Sequence, residues 1–250
     1  MPPPQGVWCL KVGEINLWKA ELTYGVDFDV RVAAPIFVFL IRSERELTLV
    51  DAGFRPGAAR ADNSAKGTIQ LLRRALKRTS VEPGDVKNLV LTHLHTDHSS
   101  FIGEFKRARV FVQSREVEFA RNPLPTQAPF FDAGALDALQ KSDVELVEGD
   151  KEISGGVRLV HTPGHTPGSQ SVAVRLGRSG FVICGDTIPM YHNWHPSDRR
   201  FGTPVALPRI PPAIHSDLGD WFRSCRKIES LSGTLIPSHD PLLADGTVFR

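Results

Sequence analysis

The stretch VLTHLHTDHSS, residues 90–100, constrains the fold more than any other part of the chain. On a helix, His93 and Asp97 would share a face, but His95 would point away. On an extended chain, His93, His95 and Asp97 all project to one side. His98 joins them if the chain turns into a helix just afterwards. The sequence therefore predicts a strand that ends at these residues and runs directly into a helix.

Imidazole and carboxylate groups are good ligands for zinc and similar divalent metals. A chance surface cluster is improbable, because the whole chain has only nine histidines. Asp97 and His98 are adjacent and can hardly converge on the same ion as His93 and His95. Two neighbouring ions are the simpler geometry, and each then needs ligands from elsewhere.

Later segments of the chain supply such ligands at the ends of predicted strands. HTPGHTPGS at 161–169 offers His161 and His165, which are equal candidates from spacing alone. CGDT and SHD place Asp186 and His239 at the tips of two further strands. Acids and histidines at strand ends can meet at one sheet edge, where active sites of layered folds are commonly found.

Alternating apolar patterns predict the remaining organisation. With 41% hydrophobic and 23% charged residues, the composition is that of a globular protein, so a full core is expected. Strands are expected at residues 7–18, 20–26, 35–42, 46–51, 88–93, 108–113, 143–150, 156–162, 169–176, 180–186 and 234–240. Helices are expected at 67–80, 114–121 and 214–233 and from 99–100, where serine favours an N-cap. Strands followed by helices in each half predict two packed sheets with helices outside, in a single domain over 1–250.

Several classes of function are excluded by composition. The net charge of +2 without a long Lys/Arg run argues against a nucleic-acid partner. The longest apolar runs are strand-sized and too short to cross a membrane. Cys9, Cys184 and Cys225 are far apart, so neither a disulfide framework nor a cysteine zinc site is expected, and Cys184 is predicted to be a core residue. The first residues do not form a secretory signal, so we expect a reduced, cytoplasmic setting.

HLHTDH, TPGHTPGS, GDT and SHD, in this order, resemble the motifs of metallo-β-lactamase-fold hydrolases. The resemblance runs from LVDAG at 49–53 to IPSHD at 236–240. It implies an α/β fold, an αββα sandwich of two mixed sheets with helices on the outer faces and a dinuclear metal site at one edge. It also implies the following roles: His93, His95 and His165 hold the first metal; Asp97, His98 and His239 hold the second; Asp186 bridges them; Asp51 supports the ligands from behind; and His161 lies beside the ligands or supports its own loop.

Within this fold, the chain most resembles the N-acyl homoserine lactonase group, through its length and through residues 210–241. The resemblance implies that a hydroxide bridging two divalent ions opens the ring of quorum-sensing lactones. It implies that Asp97 is a catalytic residue as well as a metal ligand. Zinc is the expected metal, with iron, manganese or cobalt as alternatives. Promiscuity toward esters and phosphotriesters is expected. The alternatives are a thioester, aryl ester or phosphotriester hydrolase, and a persulfide dioxygenase with a single iron. A homodimer is one oligomeric state open to such a chain.

One position departs from the lactonase pattern. The group usually has a tyrosine three residues after the bridging aspartate, where this chain has Pro189. Tyr191 is the nearest replacement, and its phenol is expected either to hydrogen-bond the substrate oxygen or to pack within the loop. Met190, Trp194, Phe130 and Phe131 are candidates for an apolar substrate pocket, and each is equally a candidate for the core.

Overall fold

Two mixed β-sheets form the framework of the structure, a computed structural model that describes residues 5–44, 46–56, 65–154 and 156–250. The strands are β1 (Gly6–Trp18), β2 (Arg31–Arg42), β3 (Leu47–Val50), β4 (Lys66–Gly67), β5 (Asn88–Val90), β6 (Arg109–Gln113), β7 (Asp143–Val147), β8 (Lys151–Ser154), β9 (Val157–His161), β10 (Gln170–Leu176), β11 (Ser179–Ile183), β12 (Thr234–Ile236) and β13 (Val248–Phe249). The first sheet has the order β13-β1-β2-β3-β5-β6-β7, with β4 beside β1, and the second has the order β12-β11-β10-β9-β8. In the first sheet, β3, β5, β6 and β7 are parallel, and the other pairs are antiparallel.

The helices cover the outer faces of these sheets. They are α1 (Ile69–Arg78), α2 (Thr96–Ser99), α3 (Ser114–Arg121), α4 (Ala133–Gln140), α5 (Tyr191–Trp194) and α6 (Leu218–Glu229). Apolar residues of α1, α3 and α4 pack on the first sheet, and Ile228 of α6 packs against Val182 of the second. The predicted αββα arrangement is therefore confirmed.

Strand β2 shows why the two layers of core form. Its apolar residues are continuous rather than alternating, which is typical of a strand that is covered on both faces. One face meets the second sheet and the other meets the helices; these sets are Phe37, Phe39 and Ile41, and Ile36, Val38 and Leu40. Both layers of core thus share one strand near the centre of the first sheet.

Three of the helices differ from the prediction. Helix α2 begins at Thr96 rather than at residues 99–100. The Ser99 hydroxyl donates to the carbonyls of Leu94 and His95, so this serine bonds back to the preceding turn instead of capping a new helix. Helices α4 and α5 have no counterpart in the prediction.

Residues 20–26 were predicted as a strand, and this is wrong. The chain forms a single 3-10 turn at Lys19–Glu21 and then a loop. The Lys19 ammonium is buried 2.6 Å from the Asp27 carboxylate, and this ion pair closes the loop on itself. The tertiary contact between Lys19 and Asp27 therefore overrides the β-type composition of this segment, and no local sequence pattern reveals that contact.

The sequence also bears on membrane-spanning helices and on the three cysteines. Within the described ranges, no helix is both long and apolar enough to cross a membrane. Cys9, Cys184 and Cys225 are all buried with free thiols. Cys184 packs with Val182 and Ile188 in the core beneath α6, which confirms its predicted place.

Candidate metal centre

The seven predicted metal ligands meet at one edge of the sandwich. They reach it from the segment that follows β5, from helix α2, and from the turns that follow β9, β11 and β12. All are buried or nearly so, and they form two groups in which the possible ligand atoms lie within 4.8 Å of one another. The first group is His93, His95, His165 and Asp186; the second is Asp97, His98 and His239.

Close contacts between ring nitrogens define each group. In the first, Nδ1 of His95 lies 3.0 Å from Nε2 of His165. In the second, Nε2 of His98 lies 3.2 Å from Nε2 of His239. The Asp97 carboxylate completes the second group, with Oδ2 at 3.5 Å from His98 and 3.6 Å from His239.

The Asp186 carboxylate faces both groups. Its Oδ2 atom lies 3.5 Å from Nε2 of His165 and 3.9 Å from Nε2 of His93. Its Oδ1 atom lies 3.3 Å from Nε2 of His98 and 3.0 Å from Nε2 of His239. One carboxylate therefore presents a different oxygen to each group of ligands, which is the geometry of a bridging ligand.

Hydrogen bonds behind the rings orient all five histidines, and Nδ1 of His93 lies 3.1 Å from the Thr92 hydroxyl. In the other four the nitrogen that faces away from the centre lies within hydrogen-bond distance of an oxygen acceptor, which favours the tautomer whose other nitrogen is directed at the centre and can bind a metal. These pairs are His98 Nδ1 to Asp51 Oδ2 at 2.7 Å, His165 Nδ1 to the Ile214 carbonyl at 2.7 Å, His239 Nδ1 to the Pro35 carbonyl at 2.9 Å and His95 Nε2 to Gln127 Oε1 at 3.3 Å.

The donor set fits divalent cations such as zinc. Nε2 of His93 is buried and makes no hydrogen bond within the described structure, and an unpaired buried nitrogen is costly unless something binds it. Burial, and then repulsion from His165, lowers the pKa of His95 to about 3. Burial, and then the neighbouring His98 and His95, lowers the pKa of His93 well below its usual range. Both rings are thereby held neutral, which is the form that coordinates a metal.

The negative charge of the centre acts in the opposite sense on His98. Burial alone would lower its pKa, but the nearby carboxylates of Asp97, Asp186 and Asp51 raise it well above its usual range. Three carboxylates around one ring form a site that attracts positive charge. A cation bound between these groups would supply that charge.

Asp51 and His161 lie in different surroundings. Asp51 is buried behind His98, where the resemblance predicts it, and it also accepts from the Thr92 amide at 2.8 Å. The His161 ring instead contacts the Pro167 carbonyl at 3.1 Å, on the far side of its own loop. Of the two candidates that spacing left equal, His165 joins the ligand group and His161 braces the loop.

The structure does not place Tyr191 at the centre. Its hydroxyl donates to the Leu235 carbonyl at 3.5 Å, and its ring packs 5.5 Å from that of Phe201. Burial raises the pKa of the phenol to about 12, so it stays protonated. Its predicted catalytic role is corrected to a packing role, because the hydroxyl is bound to β12 rather than directed at the ligands.

The four pocket candidates separate into two pairs. The rings of Phe130 and Phe131 lie 5.4 and 4.7 Å from that of His95, beside the first ligand group. Met190 is buried in a small cluster with Leu17, Leu22 and Ala34. Trp194 packs on the core beneath α6, with the Arg209 guanidinium 3.9 Å above its ring. For Trp194 the prediction of a pocket wall is wrong, and its alternative as a core residue holds.

Two supporting residues were not predicted. Gln127 accepts from the His95 ring and donates to the His165 carbonyl at 2.9 Å. Glu116 is fully buried and accepts hydrogen bonds from both ligand loops. The only sequence signal for Glu116 is its place beside Val117 on the buried face of α3, where a charged residue is unexpected.

Comparison with known proteins places this geometry in context. Residues 32–239 match the profile of the metallo-beta-lactamase superfamily. An N-acyl homoserine lactonase from Bacillus sp. is 32% identical over 192 residues, which cover 72% of this chain and 71% of that protein.

Two solved structures share the fold. An N-acyl homoserine lactone hydrolase, with the product N-hexanoyl-L-homoserine bound at its catalytic metal centre, superposes with a TM-score of 0.75 at 22% identity, over 95% of this chain and 94% of that one. AidC, a dizinc quorum-quenching lactonase, gives a TM-score of 0.73 at 18% identity, over 96% and 90%. At these identities the likeness shows the shared architecture.

Proposed function

The chain belongs to the metallo-beta-lactamase superfamily as a metal-dependent hydrolase, and we propose that it opens the ring of N-acyl homoserine lactones or related lactones. The observation that carries this proposal is the Asp186 carboxylate, with one oxygen toward each of two ligand groups. Such a centre is suited to hydrolysis without a serine or cysteine nucleophile. The lactone as substrate is supported by the 32% identical lactonase and by the apolar rings beside His95.

We propose zinc as the metal, because three histidines and a carboxylate form a donor set that zinc favours. One ion would be held by His93, His95 and His165. The other would be held by Asp97, His98 and His239, and Asp186 would contribute to both sites. When bound, divalent ions supply Lewis-acid catalysis and lower the pKa of water. Two separate donor groups also favour a dinuclear hydrolase over an enzyme with a single iron.

The protein's own residues prepare the site for such a substrate. Backbone and side-chain acceptors fix the outward nitrogen of four histidines, so the inward nitrogens need little reorganisation. Ser238 donates to Oδ1 of Asp186 at 2.7 Å and holds the carboxylate in its two-sided orientation. Phe130 and Phe131 provide an apolar wall that can bind an acyl chain and exclude water beside His95.

A substrate panel with the metal-loaded protein tests the proposal. It contains homoserine lactones of several acyl lengths, δ-lactones, a thioester, an aryl ester, a β-lactam and a phosphotriester. We expect the highest kcat/KM for a lactone, with slower turnover of the esters and the phosphotriester. All turnover should disappear in the presence of a chelator and return when zinc is added.

The control for the panel is Asp97→Ala protein, which lacks one ligand of the second group and whose fold is checked by circular dichroism. If every lactone is inert while another substrate class is turned over quickly, the lactonase proposal is wrong and the superfamily assignment is unaffected. If turnover survives both the chelator and Asp97→Ala, the metal centre itself is not the catalytic site.

A further inference from the structure

Glu116 is a buried carboxylate that lies outside the ligand groups and takes no part in the proposed chemistry. It lies in α3, has no exposed surface, and accepts three hydrogen bonds. Oε1 accepts from the Leu94 amide at 2.9 Å, and Oε2 accepts from the Thr166 hydroxyl at 2.6 Å and from the Gly168 amide at 3.2 Å. Burying a carboxylate costs free energy unless hydrogen bonds compensate for the lost water, so these three bonds indicate a specific role for Glu116.

The three donors belong to the two loops that carry the three histidines of the first ligand group. Leu94 lies between His93 and His95, and Thr166 follows His165 directly. The carboxylate therefore joins the two loops through a single rigid group, with one oxygen on each. The second group lies beyond these bonds, because Asp97 and His98 lie in α2, after His95, and His239 follows β12.

The packing leaves little freedom at this junction. A Cβ atom on Gly168 would lie 2.2 Å from the backbone nitrogen of Glu116, so the His165 loop rests directly on the start of α3. The Thr166 hydroxyl is also 2.7 Å from that of Ser169, which extends the bonded network within the loop. Burial raises the pKa of Glu116 to about 7, and the three hydrogen bonds act against that rise.

We propose that Glu116 is a positioning residue that fixes the spacing between the His93–His95 segment and the His165 loop, and thereby sets the metal affinity of the first ligand group. Only a carboxylate accepts from all three donors at once. A glutamine has the same shape, but its amide nitrogen would face at least one N–H donor. The repulsion between these two donors would move the two loops apart. The inference rests on the metal centre of the proposed function and is independent of which substrate is hydrolysed.

The test compares Glu116→Gln with Glu118→Gln, an exposed residue on the same helix. Each substitution is placed in two backgrounds that isolate one ligand group. His239→Ala disables the second group, so the remaining zinc reports on the first, and His165→Ala does the reverse. Zinc affinity is measured by competition with a chromophoric chelator, and stoichiometry is measured by elemental analysis.

We expect Glu116→Gln to weaken zinc binding by about 10- to 100-fold in the His239→Ala background, which is the usual cost of losing a residue behind a ligand. In the His165→Ala background it should have little effect, and Glu118→Gln should have little effect in either. Thr166→Val removes one donor with little change in shape, so it should produce a smaller loss in the same background. The Thr166→Val variant also tests the proposal if the Glu116→Gln protein does not fold.

Equal weakening in both backgrounds would show a general structural role and overturn the inference. So would unchanged zinc affinity in both Glu116→Gln and Thr166→Val. These results leave the proposed function intact, because it requires only that the wild-type protein bind two ions. A wild-type protein that binds no zinc overturns both proposals.

Discussion

Oδ2 of Asp51 lies 2.7 Å from Nδ1 of His98, and both side chains are buried. The same carboxylate accepts from the amide and the hydroxyl of Thr92, at 2.8 and 3.0 Å. Asp51 itself has a φ of 65°, in the left-handed region that aspartate and asparagine tolerate better than most residues. A strained turn after β3 therefore holds both a ligand and the segment that leads to the next ligands.

Replacing Asp51 with asparagine should weaken the second ligand group. Asparagine preserves the left-handed backbone, but its amide cannot accept from both His98 and the Thr92 amide. We expect the zinc affinity of this group to fall about 10- to 100-fold, as is usual for a carboxylate behind a histidine ligand. Zinc competition on the His165→Ala background measures the change. Asp137→Asn, on the exposed side of α4, is the control, and equal affinities in the two variants would contradict the prediction.

The two-sided Asp186 carboxylate predicts a difference between ligand substitutions. Asp186→Asn should weaken the binding of both ions, because each oxygen faces one group. His239→Ala should weaken one ion only, since its Nε2 atom belongs to the second group. Elemental analysis after dialysis at graded chelator concentrations should show one retained ion in His239→Ala. An Asp186→Asn protein that holds one of its ions as tightly as the wild type does would rule out the bridging geometry.

The sequence predicts the ligands well because each one follows a strand. Period-two spacing places His93 and His95 on one side, and parallel neighbours bring strand ends to the same edge. The bonds of Glu116 and Gln127 join residues 22 to 52 positions apart, so no local pattern reveals them. The choice between core and pocket for Trp194 also depends on the outer layer, since an aromatic residue suits both.

Tyr191→Phe tests the corrected role of this tyrosine. The hydroxyl makes one long hydrogen bond to the Leu235 carbonyl, and its loss should cost no more than about 1 kcal/mol of stability. We expect kcat/KM for a homoserine lactone to stay within about twofold of wild type, because 1.4 kcal/mol would be needed for a tenfold change. Steady-state kinetics and urea unfolding measure both quantities. A tenfold fall in kcat with unchanged stability would restore the catalytic role inferred from the sequence.

The ion pair between Lys19 and Asp27 should contribute to stability far more than an exposed pair does. Both groups are buried, and Lys19 also donates to the Phe201 carbonyl at 2.8 Å, which ties two loops together. Lys19→Met leaves the Asp27 charge unpaired, so we expect a loss of about 3–5 kcal/mol in the free energy of unfolding. Urea unfolding at pH 7 provides the measurement.

Arg73→Met is the matched control, because Arg73 pairs with Glu104 at the surface and its loss should cost less than about 1 kcal/mol. The double variant Lys19→Met/Asp27→Asn should recover part of the stability by removing the unpaired charge. Equal losses for Lys19→Met and Arg73→Met would mean that burial adds nothing to this pair.

Phe130 should contribute to the recognition of the acyl chain. Its ring is half-buried and lies beside that of His95, whereas Phe131 is also packed against Phe119 and the core. Phe130→Ala should therefore raise KM for a long-chain homoserine lactone by about tenfold, the usual scale for losing apolar contact in a pocket. It should change KM for a short-chain lactone much less. Trp194→Phe is the control, since Trp194 packs beneath α6 and its replacement should not alter the ratio of the two KM values. If Phe130→Ala raises both KM values equally, the acyl chain binds elsewhere.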